Sequence, residues 1–177
     1  MGYEIAGGLG VKMAAPDREV VVLVGDGSYL MMAQELVTAV QEGIKLTVVL
    51  LDNHGFSSIG GLSESVGCGG FGTEYRRRSA SGQLDGDQLS VDFAANAASL
   101  GARVIAAGDR ASLSGAIAEA RASRETTVVV VPVDRNARVA GYECWWDVPV
   151  AETSTLESVR RARQQYDRAR ARQRHLL

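Results

Sequence analysis

Two short clusters, Gly25-Asp26-Gly27-Ser28 and Asn53-His54-Gly55, combine the residue types that hold a phosphate and a hard cation. An apolar run, Val20 to Val24, leads directly into Gly25-Asp26-Gly27, and a helical pattern opens at Tyr29-Leu30-Met31. The order is strand, tight turn, helix. Glycines at such a turn let the backbone approach a ligand and permit positive φ, while the helix that follows presents free N–H groups and a positive dipole end to an anion. Asp26 adds a carboxylate, which suits Mg²⁺, an ion held by one or two protein oxygens together with phosphate oxygens and water. A second apolar run, Leu46 to Leu51, ends at Asp52-Asn53-His54-Gly55 and offers a side-chain amide oxygen and a loop carbonyl. Twenty-five residues separate Gly27 from Asn53, enough for one helix and one strand. Both loops are therefore expected at the carboxyl ends of adjacent parallel strands, where open α/β sheets bind ligands. Asp-Gly is also a common hairpin turn, but the helical periodicity from Tyr29 to Gly43 argues against a hairpin here.

Gly-Asp-Gly followed at this distance by Asn resembles the signature of thiamine diphosphate (ThDP) enzymes. The resemblance implies that Asp26, Asn53 and the backbone oxygen of Gly55 bind Mg²⁺, which grips the diphosphate, with Gly25, Gly27 and Ser28 around the phosphates. Met1-Gly2, the run Gly8-Leu9-Gly10 and the distance from Met1 to Asp26 are similar to the acetohydroxyacid synthases of the same superfamily. That likeness implies that Met1 props ThDP in its bent conformation, although a start codon explains a methionine there equally well. Longer stretches are more selective: Gly27 to Met32, Gln41 to Lys45, Asp52 to Phe56, Gly70 to Arg76, and Gly141-Tyr142-Glu143-Cys144-Trp145-Trp146-Asp147-Val148-Pro149. Together they resemble the cyclic-dione hydrolases of myo-inositol catabolism, a branch of the ThDP family. This implies hydrolysis of a C–C bond in 3D-(3,5/4)-trihydroxycyclohexane-1,2-dione to give 5-deoxy-D-glucuronate. His54 departs from a position often held by a small residue, and the amino-terminal two-thirds of such an enzyme has no counterpart. The glutamate that activates the cofactor in that family is expected outside this chain, so no catalytic residue is assigned. The implied partners are the cyclic dione, amino-terminal pyrimidine-binding and central domains, and further copies in a homodimer or tetramer. Two other readings stay open: a non-catalytic ThDP-fold binding or assembly module, and another enzyme of the acetohydroxyacid synthase-like group.

The elements that must position these residues read as an α/β fold, a doubly wound, mostly parallel sheet with helices on both faces. Met1 to Ala15 carries Ile5, Leu9 and Met13 at helical spacing beside a face of small residues. Leu30 to Ile44 reads as one largely buried helix, with Met31 and Met32 in the core and Gly43 at the left-handed end position. Further on, Ser90 is expected to cap a helix over Val91 to Leu100, Arg103 to Ala106 a strand, Asp109 to cap a helix over Arg110 to Ala122, and Thr127 to Val133 a buried strand. Ser154 and Glu157 suggest a capping box for a last helix to about Arg174. The division expected is residues 1–150 as the ThDP- and Mg²⁺-binding domain, truncated at its amino end, and 151–177 as an arginine-rich helical tail.

From His54 to Leu89 no periodicity persists, and nine glycines fall between Gly55 and Gly86 inclusive, which predicts a long functional loop. The ThDP resemblance makes His54, Phe56, Ser57, Ser58 and Glu64 candidates for substrate or diphosphate contacts; Arg76-Arg77-Arg78 reads as a solvated charge run. At 177 residues the chain can bury its own core, and a net charge of −2 with pI about 5.7 gives no global attraction to nucleic acid or acidic lipid. The final helix carries seven arginines after Thr155 but lacks a broader basic surface, and it is expected to be solvated on an oligomer exterior. Cys68 and Cys144 lack metal-ligand spacing and are expected as reduced thiols; with no signal peptide or membrane span, a cytoplasmic location is expected.

Overall fold

The computed structural model describes residues 1–139, 141 and 144–174; Tyr142 and Glu143 of the aromatic motif and the last three residues of the tail lie outside the described residues. The described chain forms α1 (Glu4–Ala14), β1 (Val21–Gly25), α2 (Asp26–Met32), α3 (Glu35–Gln41), β2 (Thr47–Asp52), α4 (Ser57–Ser65) and α5 (Phe93–Ser99). It continues through β3 (Arg103–Ala106), α6 (Arg110–Ala122), β4 (Thr127–Pro132) and α7 (Glu157–Arg170). Two compact units result: Met1–Phe56 with Ser90–Arg135, and Ser57–Leu89 with Asn136–Leu177.

The first unit is the α/β sheet. Its four strands are all parallel, in the order β1-β2-β4-β3. The β-branched runs explain the strands, and register explains the two-sided packing. Leu23 pairs with Val49, and Val49 with Val129, so these side chains share one face. On that face Val49, Val129 and Val131 pack with Ala116 and Ala120 of α6. Val22 lies on the other face, where α1 comes so close that a Cβ on Gly8 would sit 2.3 Å from Val22 Cγ2. The small-residue face of α1 thus serves close helix-on-sheet contact, while Ile5 and Leu9 are buried and Met13 is exposed. Thr47 to Leu50 are buried throughout, as a central strand covered on both sides requires.

Several local expectations need correction. The segment Leu30 to Ile44 is two helices, α2 and α3, parted at Ala33-Gln34, and Leu30, Met31, Val37 and Val40 are exposed rather than core. Its end is as expected: Gly43 has φ 63°, and the Ile44 N–H reaches back to the Ala39 carbonyl. Asp92, not Ser90, caps α5, accepting from the Ala95 N–H at 2.8 Å. Asp109 caps α6 reciprocally with Ser112, whose N–H and hydroxyl hold the Asp109 carboxyl below the usual carboxylate range.

In the second unit, the segment expected to be a loop begins with α4, a helix with two adjacent glycines and no apolar stripe to signal it. The final helix starts without a capping box: Ser154 Oγ accepts from the Leu156 N–H instead. One side of α7 is also buried. Val159 and Tyr166 pack with Val150, and the Tyr166 hydroxyl donates to Asp147 Oδ1 at 2.8 Å. Trp145 leans on the Tyr166 ring at 6.2 Å between centroids, whereas Trp146 is exposed. Both cysteines are free and exposed.

Candidate cofactor and metal site

Strand β1 ends at Gly25 beside Leu51 of β2, so Asp26 and Asp52-Asn53 leave the sheet side by side. No separate turn intervenes. Gly25 is the extended N-cap of α2 with φ −78°, and Asp26, Gly27 and Ser28 already form its first turn. Positive φ is needed instead in the second loop, where His54 has φ 60° and Gly55 φ 151°. The His54 conformation is held by Asp52, whose Oδ1 accepts the His54 N–H at 3.1 Å and lies 3.4 Å from His54 Nδ1. What Gly27 supplies is room: a Cβ there would lie 2.6 Å from Cδ1 and 2.7 Å from Cε1 of Phe56. The two loops are therefore keyed into each other, ring against bare helix backbone.

Asp26 is fully buried and is the centre of this arrangement. Its Oδ2 accepts the Gly55 N–H at 2.7 Å, which ties the first loop to the second. Burial raises its pKa; the amides of Gly55, Asn53 and Gly27 oppose that rise, and the nearby Asp52 charge adds to it. The other oxygen, Oδ1, is buried without a hydrogen-bond partner, and so is Asn53 Oδ1. Buried oxygens are rarely left unpaired, because each orphan costs about 1–3 kcal/mol. One orphan carboxylate oxygen and one orphan amide oxygen at adjacent strand ends are a donor set for a hard, oxygen-seeking cation. Among the described residues no three His, Cys, Asp or Glu side chains gather as a metal cluster, so a soft-ligand site of the zinc type is not formed there. The side-chain oxygens of Asp26 and Asn53 accordingly have the chemistry that a hard cation such as Mg²⁺ requires.

The structure brings Gly25, Asp26, Gly27, Ser28, Asn53 and Gly55 to one end of two neighbouring strands. Met1 is exposed, and the adjoining Gly2 packs on α2, where a Cβ would lie 3.0 Å from Met31 Cβ. Arg76 is committed locally, to Glu74 at 2.9 Å and to the Gly86 carbonyl, and Arg78 donates to the Gly82 carbonyl. Two contributors escaped the sequence reading: Asp52 as the anchor of His54, and Phe56 as the partner of Gly27. Asp52 carried a signal, a carboxylate two residues before a strained position. A cavity of about 660 Å³ lies at the opposite, amino-terminal ends of the strands. Its cations are already engaged, Lys12 with the Pro16 and Arg18 carbonyls, Lys45 with the Arg121 carbonyl and Arg121 with Glu19.

The model of the thiamine pyrophosphate enzyme C-terminal TPP binding domain matches residues 1–131. The chain is 44% identical over 163 residues to the 3D-(3,5/4)-trihydroxycyclohexane-1,2-dione hydrolase of Geobacillus thermodenitrificans (strain NG80-2), covering 92% of this chain and 26% of that protein. The protein of the same name from Bacillus cereus (strain AH820) is 44% identical, with 92% and 25% covered. The chain thus spans about a quarter of the length of these relatives. Among solved structures, the thiamine diphosphate-dependent 4-hydroxybenzoylformate decarboxylase of Rhodococcus jostii RHA1 superposes with a TM-score of 0.63 at 24% identity, over 76% of this chain and 23% of that one. At that identity the likeness speaks for the fold.

Proposed function

Because the chain belongs to the thiamine pyrophosphate enzymes, through their C-terminal TPP binding domain, we propose that it supplies the diphosphate and Mg²⁺ half of a ThDP-dependent hydrolase acting on a cyclic 1,2-dione. The observation that carries the cofactor half is the pair of buried, unpartnered oxygens, Asp26 Oδ1 and Asn53 Oδ1. The substrate half rests on the relatives named as 3D-(3,5/4)-trihydroxycyclohexane-1,2-dione hydrolase. In this reading the product is 5-deoxy-D-glucuronate, formed in myo-inositol catabolism.

Asp26 and Asn53 would hold the cation through side-chain oxygens and Gly55 through its carbonyl, and the N–H groups of the first turn of α2 would be available to the phosphates. The Gly55 N–H bond engages Asp26 Oδ2, so that Oδ1, which has no hydrogen-bond partner, is the oxygen that would be left for the metal. Met1 would prop the cofactor when bound. ThDP, when bound, contributes the carbon nucleophile and electron sink for cleaving a C–C bond beside a carbonyl. Proton transfer at the aminopyrimidine needs an acid–base group within hydrogen-bond reach, and that glutamate comes from a pyrimidine-binding domain, in a homodimer or tetramer. The cofactor-binding residues lie in the first unit, Met1–Phe56 with Ser90–Arg135; α7 packs its apolar side on Val150. Among the described residues no helix is long and apolar enough to cross a membrane.

The test is consumption of the cyclic dione with saturating ThDP and Mg²⁺, by the chain alone and with the amino-terminal region of a relative added. Turnover only in the mixture is expected. Turnover by the chain alone would show that the activating group lies within it.

A further inference from the structure

Strand β2 ends at Asp52, whose backbone is still tied to the sheet: its carbonyl accepts the Val133 N–H at 2.8 Å. Beyond it the chain leaves the sheet, and two hydrogen bonds fix the next three residues. Asp52 Oδ1 accepts the His54 N–H at 3.1 Å, and Asp26 Oδ2 accepts the Gly55 N–H at 2.7 Å. Asn53, whose buried Oδ1 has no partner, is the residue bracketed by this arrangement. The turn is a demanding one. Among the described residues His54, with φ 60°, is the only residue other than glycine with positive φ, a conformation in which Cβ crowds the following carbonyl. The His54 side chain is 44% exposed and that of Asp52 13%, so the carboxylate, not packing around the imidazole, is what holds the turn. A carboxylate that accepts the N–H two residues further on is the local bond that stabilises such a backbone.

The position of this loop matters to a cation because its ligands come from two places. Asp26 belongs to the first turn of α2, whereas Asn53 and Gly55 belong to the loop after β2. A ligand that must be ordered on binding subtracts from affinity, and one already in place does not. We infer that Asp52 is a positioning residue for the cation site: through the His54 N–H it fixes the backbone that carries Asn53 and Gly55, and its Oδ1, spent on that bond, is not itself a ligand. The inference deepens the proposed function and rests on its assignment of Asn53 and Gly55 to the cation.

The test separates the turn from the charge. Asp52→Asn keeps an oxygen for the His54 N–H and removes the charge; Asp52→Ala removes both. Asp52→Glu keeps the charge on a longer arm that does not close the two-residue turn, and it serves as a second variant beside Asp52→Ala. His54→Gly, added to Asp52→Ala, takes away the Cβ that resists positive φ. Two measurements are made on the full chain, each below the variant's melting transition: amide hydrogen exchange at His54 without ligand, read by NMR, and calorimetric titration with ThDP at fixed Mg²⁺. Asp52→Ala and Asp52→Glu should lose protection at His54 and bind ThDP about 10- to 100-fold more weakly, the range for groups that orient metal ligands. Asp52→Asn should keep both protection and affinity, and the double variant should bind more tightly than Asp52→Ala. The inference is overturned if Asp52→Ala or Asp52→Glu keeps protection at His54, or loses it and still binds ThDP as the wild type does. It is overturned equally if Asp52→Asn is as weak as Asp52→Ala, which would make the charge the cause, or if His54→Gly restores nothing. Asp26→Asn in the same titration separates this inference from the reading beneath it. Weaker binding in Asp26→Asn with none lost in Asp52→Ala removes this inference alone; no Mg²⁺-dependent ThDP binding by the wild type removes the proposed function and this inference with it.

Discussion

Replacing Asp26 by Asn tests the cation site from two directions at once. The native carboxylate spends Oδ2 on the Gly55 N–H and leaves Oδ1 buried and unpartnered, with its pKa raised by burial. An asparagine keeps an acceptor for Gly55, removes the buried charge and turns the orphan position into an N–H donor. If both orphan oxygens face one cation, that donor also satisfies Asn53 Oδ1. One orphan relieved is worth about 1 kcal/mol at the low end, which for a chain of this size raises the melting temperature by about 2–4 °C. Cofactor binding should move the opposite way. Loss of groups that merely orient metal ligands costs roughly 10- to 100-fold in affinity, so loss of the only carboxylate ligand should cost no less than about 100-fold. The assays are a thermal melt of the ligand-free chain and calorimetric titration with ThDP, with and without Mg²⁺. A higher melting temperature together with weaker Mg²⁺-dependent ThDP binding is expected. Unchanged ThDP affinity would refute Asp26 as a ligand, and a lowered melting temperature would refute the account of the orphan oxygens.

Gly27→Ala places a Cβ 2.6 Å from the Phe56 ring, so the ring and the loop before it must shift. Overpacking of this kind costs about 1–3 kcal/mol, and both melting temperature and Mg²⁺-dependent ThDP affinity should fall; a variant matching the wild type in both would show that the two loops are not keyed together. Tyr29 is fully buried, its hydroxyl donates to Asn96 Oδ1 at 2.8 Å, and burial pushes its pKa up to about 12. A pKa raised in the folded state means this contribution is intact below pH 10, the unfolded value, and is lost as pH rises toward 12. The loss is on the order of 2–3 kcal/mol. Melts between pH 9 and about pH 12 should therefore show a steeper decline for the wild type than for Tyr29→Phe, and parallel curves would contradict the burial argument.

The sequence by itself determined the strands and the chemistry at their ends. Apolar, β-branched runs read as strands of a parallel sheet, and the Gly43 and Asp109 signals act within a few residues of themselves, so those elements were legible. The spacing from Asp26 to Asn53 was legible too, because one helix and one strand return the chain to the same end of a parallel sheet. Tertiary structure decided the rest. The break at Ala33-Gln34 lies in an unbroken helical pattern, and only packing shows which of its two apolar faces is covered. Helix α4 has no periodic stripe because glycines serve contacts with other segments, Gly61 with Arg138 and Gly60 within the buried interior. The reason for Gly27 is likewise a ring 29 residues away in sequence, Phe56, rather than its own dihedral angles. Burial is a property of the folded sheet: it left Asp26 Oδ1 and Asn53 Oδ1 without partners, a state that no spacing of residues could reveal.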